Sequence, residues 1–205
     1  MKLFTEKRQE RLFKLVKDYY KKNKFDPIHQ IDHIERVLFW TIIISKEEKA
    51  NLSIMIPAAI VHDIALAKCG DELHARKGEI FCKSFLRRTD YNPGEIEKVG
   101  KIVRLHSTDD INRERTLEGN VLFDADKMDA IGSVGVFRHA LDRINKGIRF
   151  TEIGNVTLKW FKKNEKDNSI FFTRSGKKLG KERTAYIKKT FVKLNKELNK
   201  YTIRF

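Results

Sequence analysis

Apolar residues recur along this chain three or four positions apart, with charged residues between them, which is the period of an amphipathic helix. Residues 5–22 place Leu12, Phe13, Val16 and Tyr19 or Tyr20 on one stripe, with Lys and Arg opposite. Residues 31–47 repeat the pattern with Ile34, Val37, Leu38 and Ile42, after a break around Asp26-Pro27. Residues 55–67 are apolar nearly all round, the mark of a central, buried helix. Pro57 must lie in its first turn or bend it, because proline has no N–H to give the preceding turn. Another helix is predicted over 72–89. Asn92-Pro93-Gly94-Glu95 is a start signal: Asn92 caps, Pro93 suits the first helical position and Glu95 reaches back. That helix runs to about His106. A polar loop covers 107–117. Helices follow near 118–130, 133–146, 151–164 and 177–199, with Asp167 to Gly176 as a loop before the last. There is no internal repeat, low-complexity tract or flexible linker. The pattern predicts an all-α fold: one bundle of about 8–10 helices spanning 1–205, its C-terminal helices packed on it or projecting from it.

Composition supports a core. The chain has 205 residues, 40% hydrophobic and 35% charged, with 14 Phe but only 3 Pro and 11 Gly, too few for a loop-rich all-β protein. A chain of this length buries roughly 70% of its unfolded surface and needs no staples. The formal net charge is +15, and it is uneven. Residues 141–205 hold 18 Lys and Arg against 6 Asp and Glu, a net of +12, which leaves +3 for residues 1–140. A basic surface attracts phosphate-bearing molecules: nucleotides, nucleic acid or anionic lipid. The plainer reading is a solvated Lys-rich helical face, since no nucleic-acid-binding signature stands beside the charge.

Cys69 and Cys82 match no metal or redox spacing and read as reduced thiols. The N-terminal MKLFTEKRQERL has no apolar signal-peptide region. The longest uninterrupted apolar run, Ile54 to Val61, falls far short of the ~18 residues that span a bilayer. The expectation is a cytoplasmic protein with no membrane segment.

Candidate chemistry starts in the central helix, where His62 and Asp63 stand side by side among Ala, Ile and Val. An unpaired buried carboxylate costs several kcal/mol, so something must hold its charge. A hydrogen-bonded polar pair or a divalent cation would do so. His33 lies on the preceding helix and Asp126 downstream in Asp124-Ala125-Asp126-Lys127-Met128-Asp129. His, His-Asp and Asp form a nitrogen and oxygen donor set with too few soft ligands for a structural zinc site. It suits a catalytic ion with open positions.

This order of residues resembles the HD-domain superfamily of metal-dependent phosphohydrolases. His33 with the following Glu-Arg-Val is similar to that family's first motif, and Ala58 to Ile64 to its signature helix. Asp124 to Gly132 is similar to the closing motif of its small stand-alone prokaryotic members, whose ligand falls on Asp126, with Asp124 and Asp129 as neighbours that invite misassignment. Ser175 to Arg183 resembles the tail of those members. The resemblance covers roughly 29–190. It implies an HD-type helical domain and metal ligands at His33, His62, Asp63 and Asp126. His74 and His106 match the extra histidines of branches with two metals, in which the Asp of the pair bridges. Arg36 and Lys127 stand beside motif positions and are candidate phosphate clamps, each with a side chain that one helical step could turn away. His29 and His139 match nothing and are given no role.

No P-loop and no G-x-S-x-G elbow is present. Gly132-Ser-Val-Gly135 reads as close helix packing. The Glu-Asp pair of alarmone hydrolases and the Gly-Tyr-Pro of cyclic-dinucleotide phosphodiesterases are missing. The expected function is metal-dependent hydrolysis of a nucleotide or other small phosphate ester, with one or two divalent ions (Mn, Fe, Zn, Ni, Co or Mg). The alternatives are a nucleic-acid-associated protein using the basic C-terminal third, and a non-catalytic metal-binding HD domain. Monoester, diester and diphosphate hydrolysis use the same ligands.

Overall fold

The computed structural model describes residues 3–70, 73–107, 115–166 and 170–201. The described residues form helices and turns with no strand. In chain order the helices are α1 (Lys7–Lys22), α2 (Ile31–Glu48), α3 (Leu52–Val61), the single turn α4 (Leu66–Cys69), α5 (His74–Arg87), α6 (Pro93–Arg104), α7 (Leu117–Asp129), α8 (Gly132–Asn145), α9 (Ile153–Lys166) and α10 (Arg174–Lys200). The all-α bundle agrees with the helical periodicity.

Helix α3 is the hub, and every residue from Ile54 to Val61 is buried. It packs against α1, α2, α5, α6 and α7, while α5 and α6 pair as an antiparallel hairpin and α2 lies along α7. Helices α8, α9 and α10 pack on one another, and α10 reaches back to α2 and α7. The 18 residues Leu52–Cys69 are apolar enough to cross a membrane by composition, but 72% of that stretch is buried inside the bundle. The apolar run is therefore core.

The cap at α6 forms as its residues predict: Asn92 accepts from the Glu95 backbone N–H and Glu95 returns to the Asn92 N–H. Two boundaries differ from expectation, each for a local reason. Helix α3 begins at Leu52, because the Asn51 side chain accepts from the Ser53 N–H, and this puts Pro57 in the second turn rather than the first. The helix then stops at Val61, and residues 62–65 continue as turns. Helix α10 begins at Arg174, three residues early. Thr173 caps it by accepting from the Gly176 N–H. Two carboxylates outside α10 hold its start. Asp124 on α7 accepts from the backbone N–H groups of Phe172 and Thr173 and from the Thr173 hydroxyl, and Glu48 on α2 accepts from the Ser175 N–H and hydroxyl. The expected loop over 107–117 falls mostly outside the described residues, as does the start of the one at 167–176.

Candidate metal centre

Helix ends bring the candidate residues together. His33 is the third residue of α2. His62 caps α3 and Asp63 follows it. His74 opens α5, His106 stands just past the end of α6, and Asp126 lies in the last turn of α7. His33, His62, Asp63, His74 and His106 are all buried. The last carbonyls of a helix lack partners within the helix, and two of these histidines use them. His62 Nδ1 lies 2.9 Å from the Ala59 carbonyl and His106 Nδ1 2.5 Å from that of Val103. Both Nδ1 atoms donate, so in the neutral imidazoles both Nε2 atoms face inward as lone pairs.

The donor atoms form two groups that share Asp63. In the first, Asp63 Oδ2 lies 3.3 Å from His33 Nε2 and 3.3 Å from His62 Nε2. The two Nε2 atoms are 3.3 Å apart, and Asp126 Oδ1 is 3.4 Å from His33 Nε2. In the second, Asp63 Oδ1 lies 3.3 Å from His106 Nε2 and 3.7 Å from His74 Nε2, and those two nitrogens are 3.0 Å apart. The donors of each trio fall within 4.8 Å of one another. Lone pairs and carboxylate oxygens this close repel unless a proton or a metal ion lies between them. The donor set of imidazole and carboxylate suits a divalent metal ion.

The electrostatics express the same demand for positive charge. Burial opposes charge on Asp63, yet His62, His106 and His33 hold its carboxyl well below the usual range. Burial also opposes charge on Asp126, but Lys127, His33 and His62 lower it. His62 loses stability as a cation by burial, and the Asp63 carboxylate outweighs this and lifts it to about 8. His106 is lowered by burial, with His74 and His62 adding to the effect. A proton or a metal ion at Nε2 answers the same field.

The centre opens into a cleft of about 490 Å³. Asp63, His74, His106 and Asp126 line one end, and Lys127, Arg138, Arg143, Lys146, Lys163 and Trp160 line much of the rest. Lys127 stands in this cleft with Nζ 3.1 Å from Asp126 Oδ2. Arg36 does not face the cleft. Its Nε and Nη2 bond Asp129 at 2.5 and 3.1 Å and its Nη1 bonds Asp32 at 2.6 Å, so the guanidinium is held behind His33 rather than turned to a phosphate. His29 and His139, given no role from sequence, both line the cleft. His29 is tied to Asp26 at 2.7 Å, and His139 packs against Trp160 and Phe161. The basic residues of α8 and α9 carried no motif. Asp129 did carry a signal, since it follows Asp126 by three positions and shares its face of α7.

The HD-domain family model matches residues 31–131, a span that holds His33, His62, Asp63, His74, His106 and Asp126. The chain is a member of the HD-domain superfamily. HD domains bind divalent metal ions, and the two clusters have the donors for that. Among curated proteins, the uncharacterized protein YpgQ of Bacillus subtilis is 30% identical over 112 residues, 54% of this chain and 55% of that protein. The aligned stretch thus spans about half the length of that relative. Solved structures extend the likeness over nearly the whole HD-domain chain. A predicted HD superfamily hydrolase from an uncultured Thermotogales bacterium superimposes with a TM-score of 0.63 at 26% identity, over 94% of this chain and 92% of that one. A Lactobacillus plantarum protein gives 0.75 at 21% identity, over 96% and 99%. Bacillus subtilis YpgQ, solved in complex with ADP, gives 0.68 at 22% identity, over 93% and 95%. At such identities the last two speak for the fold. The fold is that of HD-superfamily hydrolases.

Proposed function

We propose that this protein is a dinuclear, metal-dependent phosphohydrolase acting on a nucleotide. His33, His62, Asp63 and Asp126 hold one divalent ion, and His74 and His106 hold a second, with Asp63 between them. The observation that carries this reading is the Asp63 carboxylate, which turns one oxygen to each histidine group. When bound, such ions polarise phosphoryl oxygens and lower the pKa of water.

The chain's own residues supply the rest. Of the cations in the cleft, Lys127 stands beside Asp126 and favours the charge that builds on the phosphates in the transition state, while Arg143, Lys146 and Lys163 hold the phosphates. Trp160 offers an aromatic surface in the same cleft. The ADP bound to YpgQ supports a nucleotide as the substrate class. Part of the basic excess of residues 141–205 faces this cleft, which supports a small phosphorylated ligand over a nucleic acid. The thiols of Cys69 and Cys82 are free, in keeping with a cytoplasmic setting.

The test is phosphate release from a panel of nucleoside mono-, di- and triphosphates by protein loaded in turn with Mn, Co, Ni, Zn and Mg. Turnover in the wild type that is lost in His62→Ala and Asp63→Ala supports the reading. Turnover that survives in both variants refutes it.

A further inference from the structure

Asp129 is a buried carboxylate that neither donor group uses, with 1% of its side chain exposed. Four donors converge on it. His33 Nδ1 lies 2.7 Å from Oδ2, Arg36 Nε 2.5 Å from Oδ1, and Arg36 Nη2 and Arg138 Nη1 lie 3.1 and 2.8 Å from Oδ2. His33 differs from His62 and His106 in that no helix carbonyl takes its Nδ1 proton. It stands at the start of α2, where the free backbone groups are N–H donors. A carboxylate from another helix must take that proton instead.

Arg138 makes the assignment informative. Its Nη1 is 2.8 Å from His33 Nδ1 as well as beside the Ile28 carbonyl and Asp129 Oδ2. Nη1 has two protons, and the two oxygens claim both. None remains for His33 Nδ1, which therefore keeps its own proton and leaves Nε2 bare. Without Asp129 the count changes: one Nη1 proton is released toward Nδ1, and the imidazole proton moves to Nε2, the atom that faces Asp63 and Asp126.

We propose that Asp129, clamped between Arg36 and Arg138, is a positioning residue that selects the metal-binding tautomer of His33. This rests on the metal-centre reading above, and its own content is a proton location that exists without metal. Partners of this kind, one bond behind a ligand, change metal affinity about 10–100-fold when removed.

The experiment uses the full chain stripped of metal and labelled with 15N at histidine. Long-range proton–nitrogen NMR spectra of the wild type, Asp129→Ala and Asp129→Asn report the tautomer of His33, and calorimetric titration with Co2+ reports the affinity of each equivalent. The wild type is expected to show His33 protonated at Nδ1. Asp129→Ala is expected to shift His33 toward the Nε2–H form and to weaken one equivalent about 10–100-fold, leaving the His74 and His106 equivalent close to wild type. Asp129→Asn keeps a neutral acceptor, so it is expected to hold the tautomer and lose several-fold in affinity. If the alanine protein does not fold, the asparagine affinity decides. A wild-type His33 protonated at Nε2 and not at Nδ1, or variants with unchanged tautomer and unchanged affinity, overturns the proposal. A wild type that binds no Co2+ removes the proposed function, while the nitrogen shifts still judge Asp129.

Discussion

Oδ1 of Asp63 lies 3.3 Å from Nε2 of His106, on the side of the carboxylate away from the oxygen that meets His33 and His62. One side chain therefore belongs to both donor groups, and the two groups separate under mutation. His106→Ala is expected to lose one metal equivalent and keep the other, whereas Asp63→Ala loses both. Both variants are expected to lose about 100-fold or more in kcat, the scale on which one preorganised electrostatic group acts. Far-ultraviolet circular dichroism should stay close to wild type, because both residues stand beyond helix ends.

Lys163 lines the cleft from α9, outside both donor groups. Reversing its charge acts on the phosphates of the substrate rather than on the metals. Lys163→Glu is expected to raise KM about three- to tenfold with kcat within twofold of wild type and metal content unchanged. Steady-state kinetics at low and high salt check this, and the KM difference should shrink with added salt.

His139 gives a pH signature to stability. Burial pushes its imidazole down to about 4 from an ordinary 6.5, and Nε2 has no hydrogen-bond partner among the described residues. Between those two values the unfolded chain holds a proton that the folded chain refuses. The stability tied to neutral His139 is therefore complete above about pH 6.5 and is lost as pH falls toward 4. At most it amounts to about 3 kcal/mol. His139→Leu is expected to lose less stability than wild type between pH 6.5 and 4.5 in urea titrations. Equal slopes for the two proteins would contradict the assignment.

Gly176 sits where α10 meets Asp124. A Cβ at this position would run into Asp124 Oδ2 and Thr173 Oγ1. Gly176→Ala is expected to destabilise the fold by about 1–3 kcal/mol, as the N-cap and the three hydrogen bonds to Asp124 cannot all survive. Chemical denaturation measures this. A change within 0.5 kcal/mol would mean that the start of α10 can move without loss.

Most helices were legible because burial of one face imposes a period of 3.6, and α1, α5 and α6 carry that period cleanly. His62 and Asp63 were legible because charged groups in an apolar stretch demand a partner, and His33 and Asp126 because their order along the chain resembles that of HD domains. The remainder depends on tertiary contacts that spacing does not encode. Thr173 and Ser175 look like loop residues until Asp124 and Glu48 supply acceptors from other helices. Arg36 stands beside a motif histidine, but Asp129 draws its guanidinium behind that histidine. Arg138, Lys163 and Trp160 reach the cleft only through the way α8 and α9 dock, which leaves no trace in their local sequence.

The most direct measurement is the metal content of the tag-free protein by elemental mass spectrometry, in moles per chain, after saturation with Mn2+ or Co2+ and removal of free ion. The account predicts about two equivalents in the wild type and about one in His106→Ala. A single equivalent in both proteins would contradict the shared role of Asp63, and none in either would mean that the two histidine groups hold protons instead of metal.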